Sequence, residues 1–89
     1  MTINFDKIIE IYGESCLVLI LDNIQDVEKN LTYLNTLGFT DTIDIFERYP
    51  YLFINTEIEF QNKINKLTNK LGIDYVNIIE TNLDVLEEL

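Results

Sequence analysis

The amino-acid sequence predicts an all-α fold in which a helical unit recurs about every 33 to 34 residues. Two observations carry this reading. Apolar residues stand at helical spacing over two long stretches, and each stretch runs into a glycine, Gly38 and Gly72, 34 residues apart. Leu31 to Phe39 can be laid over Ile64 to Ile73 with one residue of slippage. No linker or low-complexity tract divides the chain, so residues 1–89 read as one domain, with units at about 3–21 (partial), 22–55 and 56–89.

The partial first unit begins with Asn4 as a helix cap. Phe5, Ile8, Ile9 and Tyr12 follow, and Leu17 then stands where Leu52 and Leu86 stand in the later copies. In the middle unit Asp22 and Gln25 have the spacing of a capping box. Ile24, Val27, Leu31, Leu34 and Leu37 form the apolar stripe of a helix near 23–37, which Gly38 stops. Thr40 is the expected cap of a shorter helix carrying Phe39, Ile43 and Phe46. Pro50 and the apolar turn Tyr51-Leu52-Phe53 complete the unit. The last unit repeats the plan with Thr56 and Glu59 as the start signal of a helix near 57–71. Phe60, Ile64, Leu67 and Leu71 form its stripe, Gly72 its stop, Asp74 the next cap, and Ile73, Val76 and Ile79 the short helix.

One unit cannot bury both faces of its helices, and stacking neighbours resolves this. The competing arrangement is a small βαβαβ domain, with Leu17–Leu21, Tyr51–Ile54 and Tyr75–Ile79 as buried strands alternating with the long helices. The helical character of Thr40 to Arg48 speaks against it.

Composition narrows function mainly by exclusion. Apolar residues make up 47% of the chain and are spread along its length, which excludes a disordered protein. The longest apolar run, Cys16 to Leu21, is far short of a membrane span, and the first residues lack a basic signal-peptide region, so a soluble, cytoplasmic protein is expected. Cys16, the single cysteine, reads as a small buried hydrophobe.

With no histidine and one serine, Ser15, the parts of triads, imidazole bases and ordinary zinc sites are missing. No phosphate-binding glycine loop occurs. The carboxylates Asp41, Asp44 and Glu47, and Asp84, Glu87 and Glu88, lack calcium-loop spacing and read as solvated faces. A non-enzymatic protein without cofactor or metal is therefore expected.

Sixteen acids against six bases leave a formal charge of −10, which opposes nucleic-acid coating and favours a protein partner with a basic surface. Two clusters stand out against that background. Arg48, Tyr49 and Tyr51 flank Pro50 at a unit boundary, and Arg and Tyr are favoured interface anchors. Lys63, Lys66 and Lys70, half of the basic residues, lie along one side of the second long helix.

The string Leu34-x-x-Leu37-Gly38-Phe39-x-x-x-Ile43-x-x-Phe46-x-x-x-Pro50-x-Leu52-Phe53 is followed by Thr56, Ile64, Leu67 and Leu71-Gly72-Ile73. It resembles the repeat of mitochondrial transcription termination factor (mTERF) proteins. The resemblance implies a short right-handed α-α-3₁₀ array of about two and a half units, with Pro50 opening the 3₁₀ helix. It also implies nucleic-acid binding, for which Lys63, Lys66 and Lys70 would serve. The family's members are generally longer and basic, which this chain is not.

The function expected is a binding module for a protein partner, meeting it through the acidic surface with the Arg48–Tyr51 corner as contact. The alternatives are an mTERF-like nucleic-acid module and an acidic inhibitor that mimics nucleic acid. The open ends of so short a solenoid favour self-association.

Overall fold

Every apolar run of the sequence is helical in the computed structural model, which describes residues 3–89; Met1 and Thr2 of the expected domain lie outside the described residues. The order is α1 (Phe5–Tyr12), α2 (Glu14–Asp22), α3 (Ile24–Thr36), α4 (Thr42–Arg48), a first 3₁₀ helix (Pro50–Ile54), α5 (Glu57–Leu71), α6 (Tyr75–Thr81) and a second 3₁₀ helix (Leu83–Glu88). No strand occurs among the described residues, which removes the βαβαβ alternative. The pattern of burial explains why. In the apolar run Cys16 to Leu21, which holds the first candidate strand, Cys16 and Ile20 are buried four residues apart, whereas Val18, Leu19 and Leu21 face solvent.

The repeat is a register of 33 residues. It separates the starts of α3 and α5 (Ile24, Glu57), of α4 and α6 (Thr42, Tyr75), and of the two 3₁₀ helices (Pro50, Leu83). In the partial first unit, Leu17 lies within a nine-residue α-helix, where the expectation had an apolar turn like that at Leu52. No proline opens this segment, so no amide donor is lost at its start, and Gly13, at φ 90° and ψ 170°, separates α1 from α2 in one residue.

Of the five caps the sequence predicts, two form as expected. The Asn4 side chain accepts from Lys7 N–H, and Thr56 accepts from Glu59 N–H. Asp22, however, ends α2, and Asn23 joins α2 to α3 while its side chain donates back to the Leu19 carbonyl at 2.8 Å. The cap of α4 is Asp41, accepting from Asp44 N–H, and the Thr40 hydroxyl donates instead to Glu80 at 2.7 Å. Asp74 precedes α6, but its carboxylate accepts from the Asn77 amide rather than from a backbone N–H.

The core runs through all three units. Phe46, Phe53 and Phe60, each fully buried, form its centre. Phe46 meets Phe53 edge-on at 5.3 Å between centroids, and Phe53 leans on Phe60 at 5.0 Å. Around them lie Val27, Leu31 and Leu34 of α3, Ile64 and Leu67 of α5, and Ile8 and Ile20 from the first unit. Asn30 is the polar exception on the α3 stripe. Fully buried, its side-chain amide donates to the carbonyls of Phe53 (3.0 Å) and Asn55 (2.9 Å), tying the end of the first 3₁₀ helix to α3. Those carbonyls close a 3₁₀ helix and would otherwise lack donors.

Polar latches then join each unit to the next. Lys7 pairs with Glu47 at 3.1 Å and Tyr12 donates to the Arg48 carbonyl at 2.6 Å. Further along, Tyr33 donates to Asn65 at 3.1 Å and Tyr49 to Asp84 at 3.4 Å.

Candidate functional site

The three units meet at a cleft of about 380 Å³. Tyr12 comes to it from the end of α1; Arg48 to Leu52 come from the end of α4 and the first 3₁₀ helix. Asn55 and Lys63 come from the approach to α5 and its first half, and Leu86 and Leu89 from the chain's last turn. Local chemistry aims the central residues. Tyr49, at φ −134° and ψ 57°, turns the chain out of α4, and Pro50 opens the 3₁₀ helix at a position where its missing N–H costs nothing. With Pro50 buried, Tyr49 and Tyr51 are directed to either side of it; Tyr51 is exposed and Tyr49 half-buried.

The tyrosines are held in place. Tyr12 stands edge-on to Tyr51 at 6.1 Å with the rings at 88°, and its hydroxyl is spent on the Arg48 carbonyl. The Cys16 thiol beside Tyr51, and then partial desolvation, raise that phenol above its ordinary pKa. Desolvation raises the Tyr49 phenol as well, aided by the negative charges of Glu87 and Asp84, with Arg48 acting in the opposite sense. Both hydroxyls are therefore neutral hydrogen-bonding groups across the physiological range.

The structure brings the two sequence-derived clusters partly together and divides one of them. Arg48, Tyr49 and Tyr51 share the cleft, and Lys63 joins them from the lysine stripe. Lys66 and Lys70 do not line it, and Lys70 is paired with Glu88 at 2.9 Å. Arg48 contacts Asp44 one helical turn back at 3.3 Å, an exposed pair of small energetic weight. Lys63 has no carboxylate within 4.0 Å among the described residues.

Of the polar residues of the cleft, Tyr12 and Asn55 are not among the candidates the sequence marks. Tyr12 reads there as part of the first unit's apolar set, although its aromatic hydroxyl at the end of a short helix parallels Tyr49. Asn55 carries no periodic signal. The Cys16 expectation of burial holds, and its neighbourhood with Tyr51 is a tertiary contact.

A second, larger cleft of about 520 Å³ lies between α3 and α5. Its lining is Gln25, Glu28, Lys29, Thr32, Tyr33 and Thr36 of α3 with Glu57 and Gln61 of α5, and the Tyr33 hydroxyl already donates to Asn65. It offers no concentration of anchors comparable to the tyrosine cleft. Among the described residues no group of three metal-ligating side chains converges, and no helix is long and apolar enough to cross a membrane.

No curated protein and no solved structure matches the chain. Residues 6–87 match the PEP5/VPS11 clathrin repeat, which is a different helical-repeat family from the mTERF one that the sequence resembles. The helical-repeat part of that resemblance stands. Nearly the whole of the described array lies within the match, and the chain belongs to the PEP5/VPS11 clathrin repeat family.

Proposed function

We propose that the chain is a non-enzymatic interaction module that seats a segment of a protein partner in the cleft where its units meet. Arg48, Tyr49 and Tyr51 are the contacts, with Tyr12 and Lys63 beside them. The observation that supports this most is the composition of the cleft: three tyrosines, an arginine and a lysine around an apolar floor of Pro50, Leu52 and Leu86. Rigid aromatic and guanidinium groups over an apolar floor are the usual energetic centre of a protein interface. Stacked helical repeats present such surfaces without needing a lid or a moving element. Outside the cleft, the −10 charge steers a partner whose surround is basic, so association slows as salt rises.

The nucleic-acid reading has less support. One of its three lysines is neutralised by Glu88 and another faces the tyrosines, which leaves too few phosphate contacts to offset the net charge.

The test is affinity capture from the native host with the wild-type chain and with Tyr49→Ala and Tyr51→Ala. A partner retained by the wild type and lost from both variants supports the proposal. A partner retained equally by all three sinks it.

A further inference from the structure

The 33-residue register sets Lys63 where Asn30 stands in the unit before. The neighbours correspond: Val27, Leu31 and Leu34 align with Phe60, Ile64 and Leu67, and Phe53 aligns with Leu86, all of them buried. In the middle unit the amide of Asn30 is consumed by the Phe53 and Asn55 carbonyls, and the junction is closed. In the last unit a longer, charged side chain occupies the position, and a cleft lies beside it, with Leu86 and Leu89 on its wall.

The electrostatics of that cleft are inverted relative to the whole. The chain has 16 acids and six bases, yet the side chains of the ten residues lining the cleft include two bases and no acid. Arg48 already has Asp44 as a counter-ion, whereas Lys63 has none within 4.0 Å among the described residues. The carboxylates stand outside the lining: Asp44 holds Arg48, Asp84 the Tyr49 hydroxyl and Glu88 Lys70, while Glu87 adds negative charge near Tyr49.

We infer that the cleft recognises a carboxylate side chain of the partner segment, paired with Lys63, on a segment that carries basic residues to either side. This rests on the interaction proposed above and specifies its ligand. The carboxylate completes the one unpaired cation of the lining. Neighbouring apolar atoms fill the space between Tyr51 and Leu86. The flanking bases meet the acids outside, which the high negative charge of the chain makes necessary for any acidic group to approach. A charge-assisted hydrogen bond to the half-buried Lys63 is strong enough to select a carboxylate over its neutral amide.

The experiment follows backbone amide NMR signals of the full 89-residue chain during three titrations. The probes are a synthetic peptide with one glutamate between leucines and lysines at both ends, its glutamine counterpart, and a single-stranded thymidine oligonucleotide. The glutamate peptide should shift signals around Tyr51, Lys63 and Leu86, and bind about tenfold or more tightly than the glutamine peptide. Lys63→Gln should lose that preference while keeping the wild-type circular dichroism. Lys63→Glu should prefer a peptide whose glutamate is replaced by lysine.

Equal affinity for the glutamate and glutamine peptides, or shifts that map away from the cleft, overturns the inference. So does tighter binding of the oligonucleotide at the same residues. If Lys63→Glu does not fold, the comparison of the two peptides on the wild-type chain decides alone. A captured partner that depends on Tyr51 but is indifferent to Lys63→Gln would overturn this inference and leave the protein-interaction reading intact.

Discussion

In the middle unit, α3 ends at Thr36 and five residues lead to α4; in the last unit, α5 runs on to Leu71 and only three lead to α6. The consequences differ at the two glycines. At Gly38 (φ 102°) the N–H bonds to the Asn35 carbonyl, and the following Phe39 N–H bonds back to Leu34 at 3.3 Å, which together make a Schellman motif. That second bond folds Phe39 onto the core, where it is 6% exposed. At Gly72 (φ 86°, ψ −161°) the N–H merely continues the helix by bonding to Thr68, and Ile73, the residue that should match Phe39, is fully exposed. The same sequence signal, an apolar helix end and a glycine, thus closes one junction and leaves the other open. Two residues of helix length and two of loop make the difference.

The largest effect expected from this contrast is on stability. Phe39→Ala should cost about 3–5 kcal/mol, a large part of what so small a domain has, whereas Ile73→Ala should change it by less than about 0.5 kcal/mol. Urea unfolding of the two variants checks this, and similar midpoints would mean that the Gly72 junction is closed in solution. Next comes the paired position. Asn30→Leu should cost about 1–3 kcal/mol for each carbonyl that loses its donor, while Lys63→Asn should not lower stability by more than about 0.5 kcal/mol. An equal loss in both would show that Lys63 is a structural staple like Asn30.

Smaller differences sharpen the backbone part. An added Cβ would meet nothing within 4 Å at either glycine, so only conformational strain is at issue. Gly72 has the φ and ψ of a region that is nearly exclusive to glycine, and Gly72→Ala should cost about 1–3 kcal/mol. For Gly38→Ala about 1–2 kcal/mol is expected. Thermal melts rank the pair.

The smallest effect is on pH dependence. The folded chain raises the Tyr49 pKa above 10.0, so it holds that proton more tightly than the unfolded chain does. The resulting stability is complete below pH 10, then declines as pH rises through the folded value. Tyr49→Phe should flatten that decline, and unchanged slopes between pH 9 and 11, roughly the window around the phenol value, would refute it.

Much of the fold was legible residue by residue. The helical spacing of Val27, Leu31 and Leu34 and of Phe60, Ile64 and Leu67 located both long helices, because burial on one face repeats at 3.6 residues whatever the neighbours are. Caps were legible only where the preceding chain leaves the cap residue outside a helix. Asn4 and Thr56 satisfy that condition; Asp22 does not, because the apolar run before it continues α2 through it. Of the site, the Arg48–Tyr51 corner could be read from residue types and the proline between them. The place of Lys63 in the cleft could not, since its spacing equals that of Lys66 and Lys70, and only the facing units separate one from the others.

By itself, then, the sequence determined that the chain is helical, that its unit is about 33 residues long, which faces are apolar, and which chemistries lack their residues. These are local or compositional properties, set by side-chain period, turn residues and inventory. The tertiary structure alone decided that α2 is a full helix, that Phe39 is inside and Ile73 outside, and that Tyr12, Tyr51 and Lys63 from three different units line one cleft. Those outcomes depend on loop lengths and on which face a neighbouring unit covers, and residues in different units carry no mutual signal in a single sequence.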